Sequence, residues 1–127
     1  MFELIFSEES QAELKEWIES KTNNNYQRDR YLGVAKDGII SACCAYECYG
    51  DTIFAHIATD AQIPKCFVDV IFDYPFNQLK ANRIIALVEK DNKKAQNLVE
   101  HMGFKLIDQD QVKVYELTKE RCRFITP

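Results

Sequence analysis

Residues 84–104 read Ile84-Ile85-Ala86-Leu87-Val88-Glu89-Lys90-Asp91-Asn92-Lys93-Lys94-Ala95-Gln96-Asn97-Leu98-Val99-Glu100-His101-Met102-Gly103-Phe104, and this stretch decides the fold. It opens, from Arg83, on a nearly continuous apolar run of the kind a strand shows when both of its faces are buried. Asp91 or Asn92 then supplies a cap, and Ala95, Leu98, Val99 and Met102 recur at offsets of three, four and seven, the period of an amphipathic helix. Gly103 suits a helix stop, because the left-handed backbone that ends many helices carries no steric penalty for glycine.

Immediately upstream, Ile63, Phe67, Val70, Ile71 and Tyr74 mark another helix, with Pro64 tolerated in its first turn and Pro75 expected to kink or end it. Before that helix come three strand-like segments, residues 31–35, 39–49 and 52–59. They are joined by Lys36-Asp37-Gly38 and Gly50-Asp51, which makes an antiparallel meander. A strand, a helix and a buried strand in succession permit a parallel crossover, so residues 52–59 and 83–89 are expected to be parallel neighbours. At the N-terminal end, residues 2–6 read as a short strand. Ser7 or Ser10 is placed to cap a helix through about Lys21, with Leu14, Trp17 and Ile18 on its apolar face and Thr22, Asn23, Asn24 and Asn25 ending it. Residues 104–107 and 112–117 supply two closing strands. With no repeat or linker, residues 1–127 read as one α+β domain: a mixed, mostly antiparallel sheet with one parallel strand pair and flanking helices.

A chain of 127 residues, 46% hydrophobic and 28% charged, suffices for one sizeable core. The apolar start before Ser7-Glu8-Glu9 has neither the basic residues nor the length of a signal peptide, and no apolar run approaches a membrane span. Five cysteines (Cys43, Cys44, Cys48, Cys66 and Cys122), an odd number with no C-x-x-C pair, read as buried thiols in a reducing cytoplasm. His56 and His101 are isolated, so no metal site is expected. A net charge of −4 without a concentrated basic face argues against nucleic acid and suits an amine-bearing or cationic partner.

The element order, and within it the run from Asn92 through Ala95 and Leu98 to Gly103-Phe104, resembles the GNAT superfamily of acetyl-CoA-dependent N-acyltransferases, in which a buried strand leads to an Asn-x-x-Ala-x-x-Leu helix ending in Gly-Phe. His56-Ile57-Ala58, Val70-Ile71-Phe72-Asp73-Tyr74-Pro75-Phe76 and Arg121-Cys122-Arg123-Phe124 are similar to a compact subfamily often encoded by bacteriophages. The resemblance spans residues 31–124. It implies acetyl-CoA as acyl donor, a small-molecule or protein amine as acceptor, a cytoplasmic location (the host's, if phage-encoded) and a homodimer as one assembly. It implies no nucleic-acid or membrane partner.

Two positions depart from the superfamily pattern. The usual Arg/Gln-x-x-Gly-x-Gly/Ala loop, whose amides bind the coenzyme's pyrophosphate, is here Asp60-Ala61-Gln62-Ile63-Pro64-Lys65-Cys66, with no glycine and with a proline that has no N–H to give. Lys65 offers a positive charge in its place. The tyrosine general acid that many members carry directly after the helix leucine is here Val99.

Acetyl transfer from a thioester to an amine needs a neutral amine, a donor for the developing oxyanion and a proton for the thiolate. The resemblance assigns the backbone of Ile57, Ala58 and Thr59 to the coenzyme's pantetheine arm, as an added strand would bind. The competing reading makes these three ordinary strand residues. Asn92 either caps its helix only or also faces the arm. An alkyl ammonium with a pKa of about 10 must lose a proton at neutral pH, and Glu47 and His56, on adjacent strands, are the nearest bases. A core histidine and a solvated strand glutamate are the bland readings of that pair. Tyr115 is a candidate acid for the thiolate, or a packing residue of a closing strand. The alternative for the whole chain is a GNAT-fold binding or structural module without catalysis.

Overall fold

The computed structural model describes residues 2–22, 30–60 and 63–125. Asn23, Asn24 and Asn25 of the expected helix stop, and Ala61 and Gln62 of the expected phosphate loop, lie outside the described residues. The elements are β1 (Phe2–Ile5), α1 (Gln11–Thr22), β2 (Arg30–Lys36), β3 (Ile39–Tyr49), β4 (Thr52–Thr59), α2 (Lys65–Asp73), β5 (Arg83–Val88), α3 (Lys93–His101), β6 (Lys105–Asp108) and β7 (Lys113–Thr118). The seven strands form one sheet in the order β1-β2-β3-β4-β5-β7-β6. The sheet is antiparallel except at β4 and β5, which pair in parallel from Thr52↔Arg83 to Ala55↔Ala86, as the crossover pattern predicted. Packing groups the residues into two compact units, Met1–Glu47 with His56–Ile71, and Cys48–Ala55 with Phe72–Pro127.

In the first unit, the β2–β3 turn places Asp37 at φ 53° and Gly38 at φ 85°. Two successive positive φ values match the right-handed twist of the flanking strands, which is why Asp-Gly signals a hairpin. Leu14 and Ile18 of α1 are fully buried against Tyr31, Cys43 and Ala45, with Ile5, Trp17, Ile40 and Ala58 packed around them. Gly33 permits this close approach, since a Cβ there would lie 2.4 Å from Leu14 Cδ2. The serine cap does not form. Ser7 makes no side-chain cap bond, Ser10 Oγ donates back to Ser7 O at 2.8 Å, and a short turn, Glu8–Ser10, leads into α1. Gln11 fixes the helix start instead, donating to Tyr31 O at 3.0 Å and accepting from Tyr31 N at 2.8 Å. Tyr46, whose side chain alternates with Ala45 across β3, is fully buried and donates from its hydroxyl to Ile71 O of α2 at 2.7 Å. In a regular α-helix that carbonyl would accept from residue 75, which is a proline without an N–H.

In the second unit, Pro75 does not end the helical path. It sits in a wider π turn, Tyr74–Gln78, that buries Pro75 and Phe76. The expectation that β5 is buried on both faces holds for Ile84, Ala86 and Val88 on one face and for Ile85 on the other, where Leu87 is 40% exposed. Gly103, at φ 100°, closes α3 with Gly103 N donating to Glu100 O at 3.1 Å and Phe104 N to Val99 O at 3.0 Å, the paired bonds of a Schellman stop. Phe124 stacks on Phe72 with ring centroids 4.8 Å apart, and the Arg123 guanidinium donates to His101 O at the end of α3. That contact gives the C-terminal Arg-Cys-Arg-Phe segment a structural role.

Candidate active site

Glu47 is near the end of β3 and His56 is in the middle of β4, and the turn between the two strands brings them together. His56 Nε2 lies 3.2 Å from Glu47 Oε1, with side-chain exposures of 16% and 19%. Side chains alternate along a strand, so Glu47 shares a face with Cys43 and Ala45, and His56 with Ala58. The pair therefore continues the face that α1 covers, beyond the last apolar contacts. An ionised carboxylate only accepts hydrogen bonds, so toward such a carboxylate Nε2 is the donor of this contact. An imidazole held by a carboxylate is one arrangement that general-base chemistry can use. Sequence reasoning named both residues, but only the tertiary structure brings them into contact.

Ile57, Ala58 and Thr59 continue β4 and are half-buried. Thr59 Oγ1 donates to Ser41 O at 3.5 Å, and Asp60 N to the same carbonyl at 2.8 Å, which fixes the end of the strand. The parallel pairing of β4 covers Thr52, Ile53, Phe54 and Ala55. Asp60, the first residue of the glycine-free loop, pairs with Lys21 at 2.8 Å. Lys65, the first residue of α2, is 88% exposed at its side chain and pairs with Asp69 at 2.9 Å. Pro64 contributes its carbonyl, which accepts from Phe67 N at 3.1 Å and Val68 N at 3.2 Å and closes the first turn of the helix.

In the second unit Asn92 is the N-cap of α3, its Oδ1 accepting from Ala95 N at 3.1 Å. The cap uses the amide oxygen and leaves the NH2 group as the part of Asn92 that can serve a ligand. Tyr115 of β7 is fully buried, and its hydroxyl donates to Glu100 of α3 at 2.7 Å. Loss of water around the phenol, with the Glu100 carboxylate beside it, pushes its pKa up to about 12. A phenol held this way keeps its proton, which opposes its use as an acid toward a thiolate. Val99, at the position of the superfamily tyrosine, is 4% exposed and belongs to the core.

Sequence reasoning did not single out Glu100 as the partner of Tyr115, nor Gln96. Gln96 is 3% exposed and is bonded through both ends of its amide. A signal for Gln96 existed in its spacing, four residues after Asn92 and three before Val99, on the inward stripe of α3. Among the described residues no group of three or more histidine, cysteine, aspartate or glutamate side chains is arranged to hold a metal ion, and no helix is long and apolar enough to cross a membrane.

No family model and no curated protein matches the sequence. Solved structures do match the fold. The N-acetyltransferase PseH of Campylobacter jejuni, in complex with acetyl coenzyme A, superposes with a TM-score of 0.68 over 94% of this chain and 99% of its own, at 17% identity. The spermidine/spermine N-acetyltransferase SpeG of Vibrio cholerae gives 0.71 over 94% and 96%, at 15% identity. RimJ of Mycobacterium smegmatis, in complex with CoA-disulfide, gives 0.60 over 72% of this chain and 53% of its own, at 14% identity. At these identities the likeness is one of fold, the fold that these N-acetyltransferases share.

Proposed function

We propose that this protein is an acetyl-CoA-dependent N-acetyltransferase in which His56, oriented by Glu47, is the general base. The observation that carries the proposal is the 3.2 Å contact between His56 Nε2 and Glu47 Oε1, on a strand whose next residues are those proposed to bind the donor. The backbone of Ile57, Ala58 and Thr59 takes the pantetheine arm and supplies the N–H toward the thioester oxygen. Lys65 with the first turn of α2 serves the pyrophosphate, and within the second unit the NH2 group of Asn92 is a candidate donor to the coenzyme. The acceptor is a small-molecule or protein amine. The acceptor's ammonium gives one proton to solvent, the neutral nitrogen attacks the thioester carbon, a C–N bond forms, and the nitrogen's surplus proton passes to the His56 imidazole. The tetrahedral oxyanion collapses, the C–S bond breaks, and the thiolate leaves. The proton held on His56 is the one the thiolate takes up, so the base returns to its starting state. Tyr115 is the alternative donor for that last step, against the hold of Glu100.

The fold likeness to N-acetyltransferases, one of them in complex with acetyl coenzyme A, supports the reading. The same reading takes the protein to act in a cytoplasm, the host's if a bacteriophage encodes it, and to assemble as a homodimer.

The second reading is a GNAT-fold binding or structural module without catalysis, and it is favoured by Pro64 in a glycine-free loop and by the core position of Val99. Titration calorimetry and thermal unfolding with acetyl-CoA test the proposal. A ligand at a hundred times its Kd adds about 2.7 kcal/mol to native stability. No heat and no stabilisation at millimolar acetyl-CoA sink the enzyme. Binding without thiol release across a panel of primary amines favours the module.

A further inference from the structure

Gln96 is a buried amide in a helix whose inward face is otherwise apolar, and all of its polar atoms are engaged. Nε2 donates to Glu89 O at 3.0 Å and to Lys90 O at 2.8 Å, while Oε1 accepts from Lys113 Nζ at 2.9 Å. The amide orientation follows from its partners, since carbonyls only accept and an ammonium only donates. Glu89 O also accepts from Asn92 N at 3.1 Å. Two successive carbonyls of the turn between β5 and α3 are thus held from inside the helix, and with them the peptide planes that lead to Asn92. Leucine would fill the same space without the desolvation cost of a buried amide, so packing alone does not account for a glutamine here.

We infer that Gln96, braced by Lys113, is a positioning residue: it sets the conformation of the turn of residues 89–92 and so the aim of the Asn92 NH2 group at the coenzyme. The inference rests on the coenzyme reading above. Gln96 touches no coenzyme and acts through Asn92, so its removal weakens acetyl-CoA binding in protein that is still folded.

The test is acetyl-CoA calorimetry on the whole protein, at a temperature where circular dichroism shows each variant fully folded. Gln96→Met keeps the volume and removes all three bonds, and the expected Kd is about tenfold weaker, the effect of losing roughly one hydrogen bond's worth of preorganisation. Lys113→Met removes the brace only and is expected to weaken binding about threefold, whereas Lys113→Arg keeps a donor and restores the Kd of the unsubstituted protein. A folded Gln96→Met with unchanged Kd overturns the inference and leaves the function standing. If Gln96→Met does not fold, Lys113→Met decides: unchanged binding overturns the inference, and weaker binding rescued by Lys113→Arg supports it. Absence of binding by the unsubstituted protein overturns this inference together with the function it rests on.

Discussion

His56 Nε2 and Glu47 Oε1 approach to 3.2 Å across the β3–β4 hairpin, although nine positions separate them in the chain. A carboxylate in this place orients the imidazole ring through Nε2. Replacing His56 by Ala is expected to lower kcat/KM by about a hundredfold or more, the usual contribution of a positioned base. Glu47→Gln keeps the shape but removes the charge, and is expected to cost about tenfold. Thiol release from acetyl-CoA in the presence of primary amines measures both. A His56→Ala enzyme with undiminished turnover removes His56 from the mechanism.

Asn92 combines a cap with a proposed ligand contact, and two substitutions separate them. Asn92→Ala is expected to lose about 1 kcal/mol of stability through the missing cap, whether or not coenzyme binds. Asn92→Ser retains a capping oxygen and shortens the reach to a ligand. It is expected to leave the unfolding midpoint of the free protein nearly unchanged while weakening acetyl-CoA in calorimetry. Equal binding by Asn92→Ser and the unsubstituted protein reduces Asn92 to its cap.

Tyr46 serves the carbonyl of Ile71 at 2.7 Å, four residues before Pro75. Tyr46→Phe leaves a buried acceptor short of this donor and is expected to destabilise the fold by about 1–3 kcal/mol. Urea unfolding at equilibrium reads this directly. A loss below a few tenths would mean that the carbonyl is fully served without the tyrosine.

Tyr115 holds its proton more tightly in the folded protein, its pKa pushed up to about 12 by loss of water and by Glu100. A folded pKa above the unfolded value of about 10 adds stability that is fully present below the unfolded pKa and is lost as pH rises through the folded one. Tyr115→Phe is therefore expected to remove part of the stability loss between pH about 10 and about 12. Phenolate absorbance should show one tyrosine titrating late in that window. A Tyr115 that ionises at the ordinary phenol value of about 10 contradicts the Glu100 contact.

None of the five cysteines is in a disulfide, and their surroundings differ. Burial pushes the Cys43 thiol up and takes Cys44 to about 12, while Cys48 and Cys66 are exposed. Since the thiolate is the reactive form, brief alkylation of native protein should modify Cys48 and Cys66 and spare Cys43, Cys44 and the buried Cys122 until the chain unfolds. Peptide mass spectrometry reports the order, and early labelling of Cys43 would contradict its place beneath α1.

Sequence alone determined the order of elements and most of their boundaries, because each local signal has a short-range cause. Asp37-Gly38 adopts the positive φ values of its turn wherever the flanking strands pair, Asn92 caps whatever helix follows it, and Gly103 ends that helix through its own backbone freedom. The parallel pairing of β4 with β5 was also legible, since a helix between two strands leaves few other connections. Local signals failed where a distant partner competed. Ser10 turned its hydroxyl back to Ser7 while Gln11, reaching twenty residues to Tyr31, fixed the start of α1. Of the candidate residues, the sequence supplied Glu47, His56, Tyr115 and Asn92 as residue types, and only tertiary structure distributed their partners. Folding gave His56 the carboxylate of Glu47, and packing of α3 gave Tyr115 the carboxylate of Glu100. It also turned Gln96 inward onto two carbonyls and a lysine. Hydrogen-bond partners are set by positions a few ångströms apart in space and many residues apart in the chain, and no local pattern encodes that distance.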